Sequence, residues 1–209
     1  MTYRWLELVA LYLLVPLLAI YWLRENQEFL MPALFVLGVM CFYLLLSDKK
    51  FKRFRLWHTQ GFSKHIKNTL LLFFPSAVVL AFLIHWLAPD IWFSLPSEQW
   101  QFWLITLAIY PVVLVIPQEV IFRTFFFHRY KGIIPSKQAR WGISTLSFAF
   151  AHLVYGNWIA VGMAAIGGGI FGYRYITTRS TLVVIVEHTL WGSYCFTVGV
   201  GVFFLTQTS

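Results

Sequence analysis

The sequence predicts an all-α fold, a polytopic integral membrane helical bundle of about seven transmembrane helices (six to eight) with a cytoplasmic N-terminus. Three observations predict it. The 209 residues are 59% hydrophobic and 20% aromatic but only 11% charged, whereas soluble domains carry about 25% charged residues. Apolar windows of roughly 20 residues, the length that crosses a bilayer, recur along the chain. The basic residues cluster in alternate connections, as the positive-inside rule requires.

The windows are residues 5–23, 29–46, 69–88, 100–122, 141–155, 158–173 and 181–205. The first is preceded by Arg4 and followed by Arg24-Glu25-Asn26 rather than by a small-residue cleavage site, so it reads as a retained anchor and not a signal peptide. It pairs with the second as a hairpin, and residues 1–68 comprise that hairpin and a basic cytoplasmic loop. The third window ends at an acidic external connection, Asp90 to Glu98. Pro111 and Pro117 should kink the fourth. The fifth is short and borrows from residues 136–140. The stretch from Arg140 to Arg174 has no charge between its ends and is too long for one helix, so Tyr155-Gly156-Asn157 is the predicted hairpin turn. Gly168 and Gly172 in the sixth window have the small-residue spacing that lets helices approach closely. The whole chain, residues 1–209, reads as one membrane domain.

The net charge of +8 does not indicate nucleic acid. Lys49, Lys50, Lys52, Arg53, Arg55, Lys64 and Lys67 share one connection, Arg123 to Arg140 a second, and Arg174 and Arg179 a third. All face the cytoplasm in the seven-span topology, with Arg24 outside. Topology and anionic lipid headgroups account for the excess. Cys41 and Cys195 fall inside apolar windows and read as small buried hydrophobes. Size and compactness point to a bacterial inner membrane.

Chemistry concentrates in the C-terminal half. Between Glu98 and Glu119 the chain carries no charge, so Glu119 sits in hydrocarbon, where an ionisable group marks a functional site by default. Arg123 follows at i+4, the favourable orientation for a helical ion pair. Alone, that pair could be simple neutralisation, with Arg123 reaching to the cytoplasmic face. His152, on one face with Phe148, and His188, on one face with Gly192, change the balance. At 1.5 Å per residue, Glu119, His152 and His188 lie roughly 16, 22 and 12 Å from the cytoplasmic ends of their helices. They could therefore converge on one cavity. Glu119 and His152 around a confined water would make it nucleophilic, while His188 polarises an attacked carbonyl. The same three residues also form a two-histidine, one-carboxylate set for a divalent metal such as zinc. No HExxH signature is present, and the residues leave both options open.

These motifs resemble the CAAX-protease and bacteriocin-processing family of intramembrane endopeptidases, also called the abortive-infection family. Its pattern, EExxxR, then FxxxH, then HxxxN or a variant, matches Gln118-Glu119-xxx-Arg123, Phe148-xxx-His152 and His188-xxx-Gly192. The resemblance covers residues 100–205, which would form the catalytic core. It implies hydrolysis of a peptide bond in a membrane-associated protein or peptide, by a mechanism described both as metal-dependent and as glutamate-dependent. Two positions depart from the pattern: Gln118 replaces the glutamate usually assigned as base, and Gly192 replaces an asparagine that helps bind the oxyanion. The base would then be Glu119 or, next to His188, Glu187. Trp191 offers an indole N–H in place of the asparagine. Arg123 would hold Glu119, and Gln118 would line the cavity. The departures also suit a catalytically altered relative that binds peptides, and the intramembrane acid and histidines suit a proton-coupled transporter. The concentration of polar groups in one half argues against transport.

Overall fold

The computed structural model describes residues 2–23 and 26–204. Arg24 and Glu25, after the first predicted span, lie outside the described residues, as does Leu205 at the end of the seventh. Among the described residues seven principal helices follow one another: α1 (Thr2–Trp22), α2 (Leu30–Ser47), α3 (Phe62–Leu87), α4 (Trp100–Arg129), α5 (Lys137–Ala151), α6 (Trp158–Thr178) and α7 (Thr181–Val198). Six of them, all except α5, are long and apolar enough to cross a membrane. The protein is an integral membrane protein. The fifth predicted span is the 15-residue α5, extended by a 3-10 turn, His152–Tyr155. It begins at Lys137, so it does borrow from the residues before its apolar window. Helix α3 begins at Phe62, which puts Lys64 and Lys67 on its first turns rather than in the loop.

The surface is inside-out relative to a soluble bundle. Leu71, Phe74, Val78 and Phe82 are all more than 60% exposed and recur every three or four residues along one face of α3. In a bilayer this stripe meets lipid. Charged and polar side chains instead collect within the bundle, among them Glu119, Arg123, Ser144 and Glu187, each fully buried.

Helix α5 and α6 form a hairpin. Gly156 takes a left-handed φ of 71° at the turn, a conformation that glycine adopts without a Cβ penalty. Asn157 caps α6 by accepting from the Ala160 N–H at 2.8 Å and anchors its amide on the Phe203 carbonyl. A β-carbon at Gly172 would come within 2.6 Å of Trp141 Cδ1, and one at Gly168 within 3.2 Å of Phe148. The GxxxG pair is therefore the face that brings α6 against α5. Gly38 does the same for α2, since a β-carbon there would press on Pro117 of α4 at 2.7 Å.

Helix α4 is not regular. Pro111 opens a π turn that runs to Val115, Pro117 lies in the short α-helical stretch Ile116–Glu119 that follows, and a second π turn occupies Val120–Phe125. A π turn moves its carbonyls to i+5 partners, as Ile121 accepts from the Phe126 N–H, and two side chains add donors here. Tyr12 donates to the Ile121 carbonyl at 2.7 Å, and Ser144 to the Phe122 carbonyl at 2.6 Å. Helices α1 and α5 thus clamp the distorted segment from two sides.

The basic end is closed by side-chain ties. Glu7 accepts a bidentate contact from Arg129 at 2.8 and 2.7 Å, and a hydrogen bond from the Tyr130 hydroxyl at 3.1 Å. Arg4 adds a bond to the Arg129 carbonyl. His128 contacts Asp48 at 2.8 Å, which with the Lys50 N–H holds the Asp48 carboxyl below the usual carboxylate range. Arg174 grips Glu187 through two nitrogens at 2.7 and 2.8 Å, and Thr69 of α3 donates to the same carboxylate. This pair joins α3, α6 and α7 in the interior. Arg174→Met should therefore destabilise the fold by about 3–5 kcal/mol, because Glu187 is left as an uncompensated buried charge. Thermal unfolding in detergent should show the loss, and Arg174→Met with Glu187→Leu should recover most of it.

Candidate active site

Four elements bring the site together: the stretch between the π turns of α4, the end of α5, the glycine-rich middle of α6 and the middle of α7. Glu119 is fully buried and shared by two partners. His188 Nδ1 lies 2.7 Å from its Oε1, and Arg123 Nε lies 3.3 Å from its Oε2. The arginine contact is ionic rather than an aligned hydrogen bond, and Arg123 Nε and Nη1 make no hydrogen bond. Its Nη2 donates to the Gly168 carbonyl at 3.4 Å. Arg123 does not reach the membrane surface; it has no solvent exposure. Its guanidinium lies over the Phe148 ring, 4.3 Å from the centroid, where a cation gains from the ring quadrupole.

Phe148 is the hub of the aromatic packing. Its ring contacts His152 at 4.5 Å and His188 at 5.9 Å between centroids. Phe171 of α6 stacks on His188 at 4.3 Å with an interplanar angle of 20°. Both imidazoles are thus fixed in plane as well as in position. Their hydrogen bonds also fix the proton. His152 Nδ1 lies 2.7 Å from the Phe148 carbonyl; a carbonyl only accepts, so Nδ1 carries the hydrogen. The Glu119 contact places the His188 hydrogen on Nδ1 by the same logic. In the neutral state each ring then keeps its Nε2 lone pair free.

A cavity of about 260 Å³ meets these rings. Gln118, Phe148, His152, His188, Trp191 and Gly192, all singled out in the sequence, line it. Glu119 and Arg123 do not. The site thus presents two imidazoles and an amide to the cavity, backed by a buried ion pair. Lining residues on α3, α4 and α7, such as Leu80, Tyr110 and Phe196, lie on the side of the histidines away from the basic loops. Toward the basic end, Thr124 and Thr181 make a 2.7 Å hydroxyl contact, and Thr181 donates to the Arg55 carbonyl. A second, larger cavity of about 940 Å³ runs between the α1–α2 hairpin and the core. The two share Leu114, Gln118, His152 and Tyr155, so the hairpin flanks a route to the same wall.

Glu187, the second acid considered as a base, is occupied by Arg174 and fully buried. Of Glu119, His152 and His188, the set considered for a metal, the two histidines line the cavity and Glu119 does not. Among the described residues no group of three or more His, Cys, Asp or Glu side chains is placed to hold a metal ion. The reason is local: Oε1 of Glu119 accepts from His188, Oε2 faces a guanidinium, and the cavity wall offers imidazoles without the carboxylate. Phe171 and Tyr110 were not legible as site residues. Both are apolar-looking aromatics in apolar windows, and only the packing reveals their neighbours.

Residues 99–194, just under half of the chain, match a family model described as type II CAAX prenyl endopeptidase Rce1-like. Comparison with curated proteins and with solved structures gave no significant match.

Proposed function

We propose that this chain, whose residues 99–194 match the Rce1-like model of type II CAAX prenyl endopeptidases, hydrolyses a peptide bond of a membrane-associated protein or peptide, with His188 as general base and Glu119 acting behind it. One observation carries this reading: His188, on the cavity wall, holds Glu119 through Nδ1 at 2.7 Å. A carboxylate at Nδ1 selects the tautomer whose Nε2 can accept a proton, and it stabilises the imidazolium that results. Water activation thereby moves from Glu119 itself to the imidazole that Glu119 orients. Arg123 keeps the carboxylate from being an unpaired charge in an apolar interior.

His152 offers its Nε2 to the second hydrogen of the same water and turns an oxygen lone pair toward the substrate. The water oxygen bonds to the carbonyl carbon while its proton passes to His188 Nε2. Collapse of the tetrahedral intermediate breaks the C–N bond, and His188 returns the proton to the departing amine. The Gln118 amide, on the wall common to both cavities, is placed to hydrogen-bond the substrate backbone. The largely apolar lining suits a substrate that arrives from the bilayer, and a bacterial inner membrane is the setting we assign.

Glu119→Gln, in folded and membrane-inserted protein, should lower kcat by about 10³–10⁴-fold with little change in KM, as expected for loss of the tautomer-fixing carboxylate of such a pair. Cleavage at the wild-type rate would remove Glu119 from the mechanism.

A catalytically altered, peptide-binding relative is the rival reading, and Gln118 is the observation that favours it. The two readings differ on Gln118→Glu. With the base already supplied by His188, that change should leave kcat within about one order of magnitude, that is about 1.4 kcal/mol in the barrier. A gain of several orders would identify a site that has lost its base.

A further inference from the structure

Building on the endopeptidase reading, we propose that Tyr110 is a further catalytic residue, whose hydroxyl donates a hydrogen bond to the oxygen of the scissile carbonyl as charge develops there. Tyr110 ends the regular first part of α4, immediately before the π turn at Pro111–Val115. It lines the same cavity as His188, His152 and Gln118. Its ring packs edge-on to His188, 6.1 Å between centroids, and to Phe196 at 5.3 Å, so the phenol is fixed relative to the base.

The hydroxyl has a specific seat. A β-carbon at position 192 would overlap the Tyr110 oxygen and the ring carbon that bears it. Gly192 is therefore the residue that lets the phenol cross from α4 to the His188 face of α7. A side chain at 192 would occupy the same space. The oxygen thus stands one helical turn from His188, where a side-chain donor borne by residue 192 would begin. The hydrogen bonds among the described residues leave this hydroxyl unused. Trp191, the other candidate donor, packs its ring on Phe73 at 5.0 Å, and its N–H is buried without a partner.

In the addition step the water oxygen bonds to carbon, its proton goes to His188, and the carbonyl electron pair moves to oxygen. Tyr110 keeps its proton and holds that oxygen by a hydrogen bond, which is released when the C–N bond breaks. A donor that meets charge present only at the transition state acts on kcat rather than on substrate binding.

Tyr110→Phe keeps the ring and removes the donor. Its kcat should fall by about 10²-fold or more, with KM and thermal stability little changed. Tyr110→Ala combined with Gly192→Asn returns an amide donor to the vacated seat, and its kcat should exceed that of Tyr110→Ala. Full activity in Tyr110→Phe, with activity lost in Glu119→Gln, overturns the Tyr110 assignment alone. A folded double variant no faster than Tyr110→Ala does so too. A wild-type chain that cleaves no membrane-associated peptide overturns the endopeptidase reading and this assignment together.

Discussion

One carboxylate with two claimants organises the interior. Glu119 is fully buried, Arg123 supplies its countercharge at 3.3 Å, and His188 supplies its hydrogen bond at 2.7 Å. Removing any one of the three would leave a charge or a polar atom stranded in an apolar bundle, where such groups are costly. The three residues sit on two helices far apart in the chain, so the pairing also fixes the approach of α4 to α7. Phe148 and Phe171 complete the enclosure by packing on the guanidinium and the imidazole. What reaches the cavity is the far side of His188.

That arrangement depends on departures from regular helix. Two π turns and two prolines interrupt α4, and the short segment between the turns carries Gln118 and Glu119. Tyr12 and Ser144 donate to two carbonyls of the second turn, so α1 and α5 hold that distortion in place. Small residues do the complementary work. Gly38 admits Pro117, Gly168 admits Phe148, and Gly192 admits Tyr110. Each glycine stands where one helix must come within van der Waals distance of a bulky group on another, and each such approach sets a residue of the site.

The spans and the hairpin turn were legible because hydrophobic length and the Tyr155-Gly156-Asn157 punctuation are local properties of the chain. Helix α5 was the least regular case: its apolar window is too short to span, and the structure starts it at Lys137. Glu119, His152 and His188 stood out in the sequence because ionisable groups in apolar windows are expensive. Their division of labour did not. The sequence could not tell that Glu119 turns away from the cavity, because that depends on a partner 69 residues later. Nor could it find the partner of Glu187, which sits one turn of chain reversal away on α6 as Arg174. Tyr110 was hidden for the same reason: its role depends on Gly192, which reads as a missing donor until the phenol above it is seen.

In the proposed mechanism Glu119 fixes the His188 proton on Nδ1 and leaves Nε2 free toward the cavity. Nitrogen NMR on protein labelled with ¹⁵N-histidine, reconstituted in lipid nanodiscs near neutral pH, reads that tautomer directly, with His188→Asn providing the assignment. The expected result is a neutral His188 protonated at Nδ1, with that preference lost in Glu119→Gln. An Nε2-protonated His188, or a tautomer indifferent to the Glu119 substitution, would contradict it.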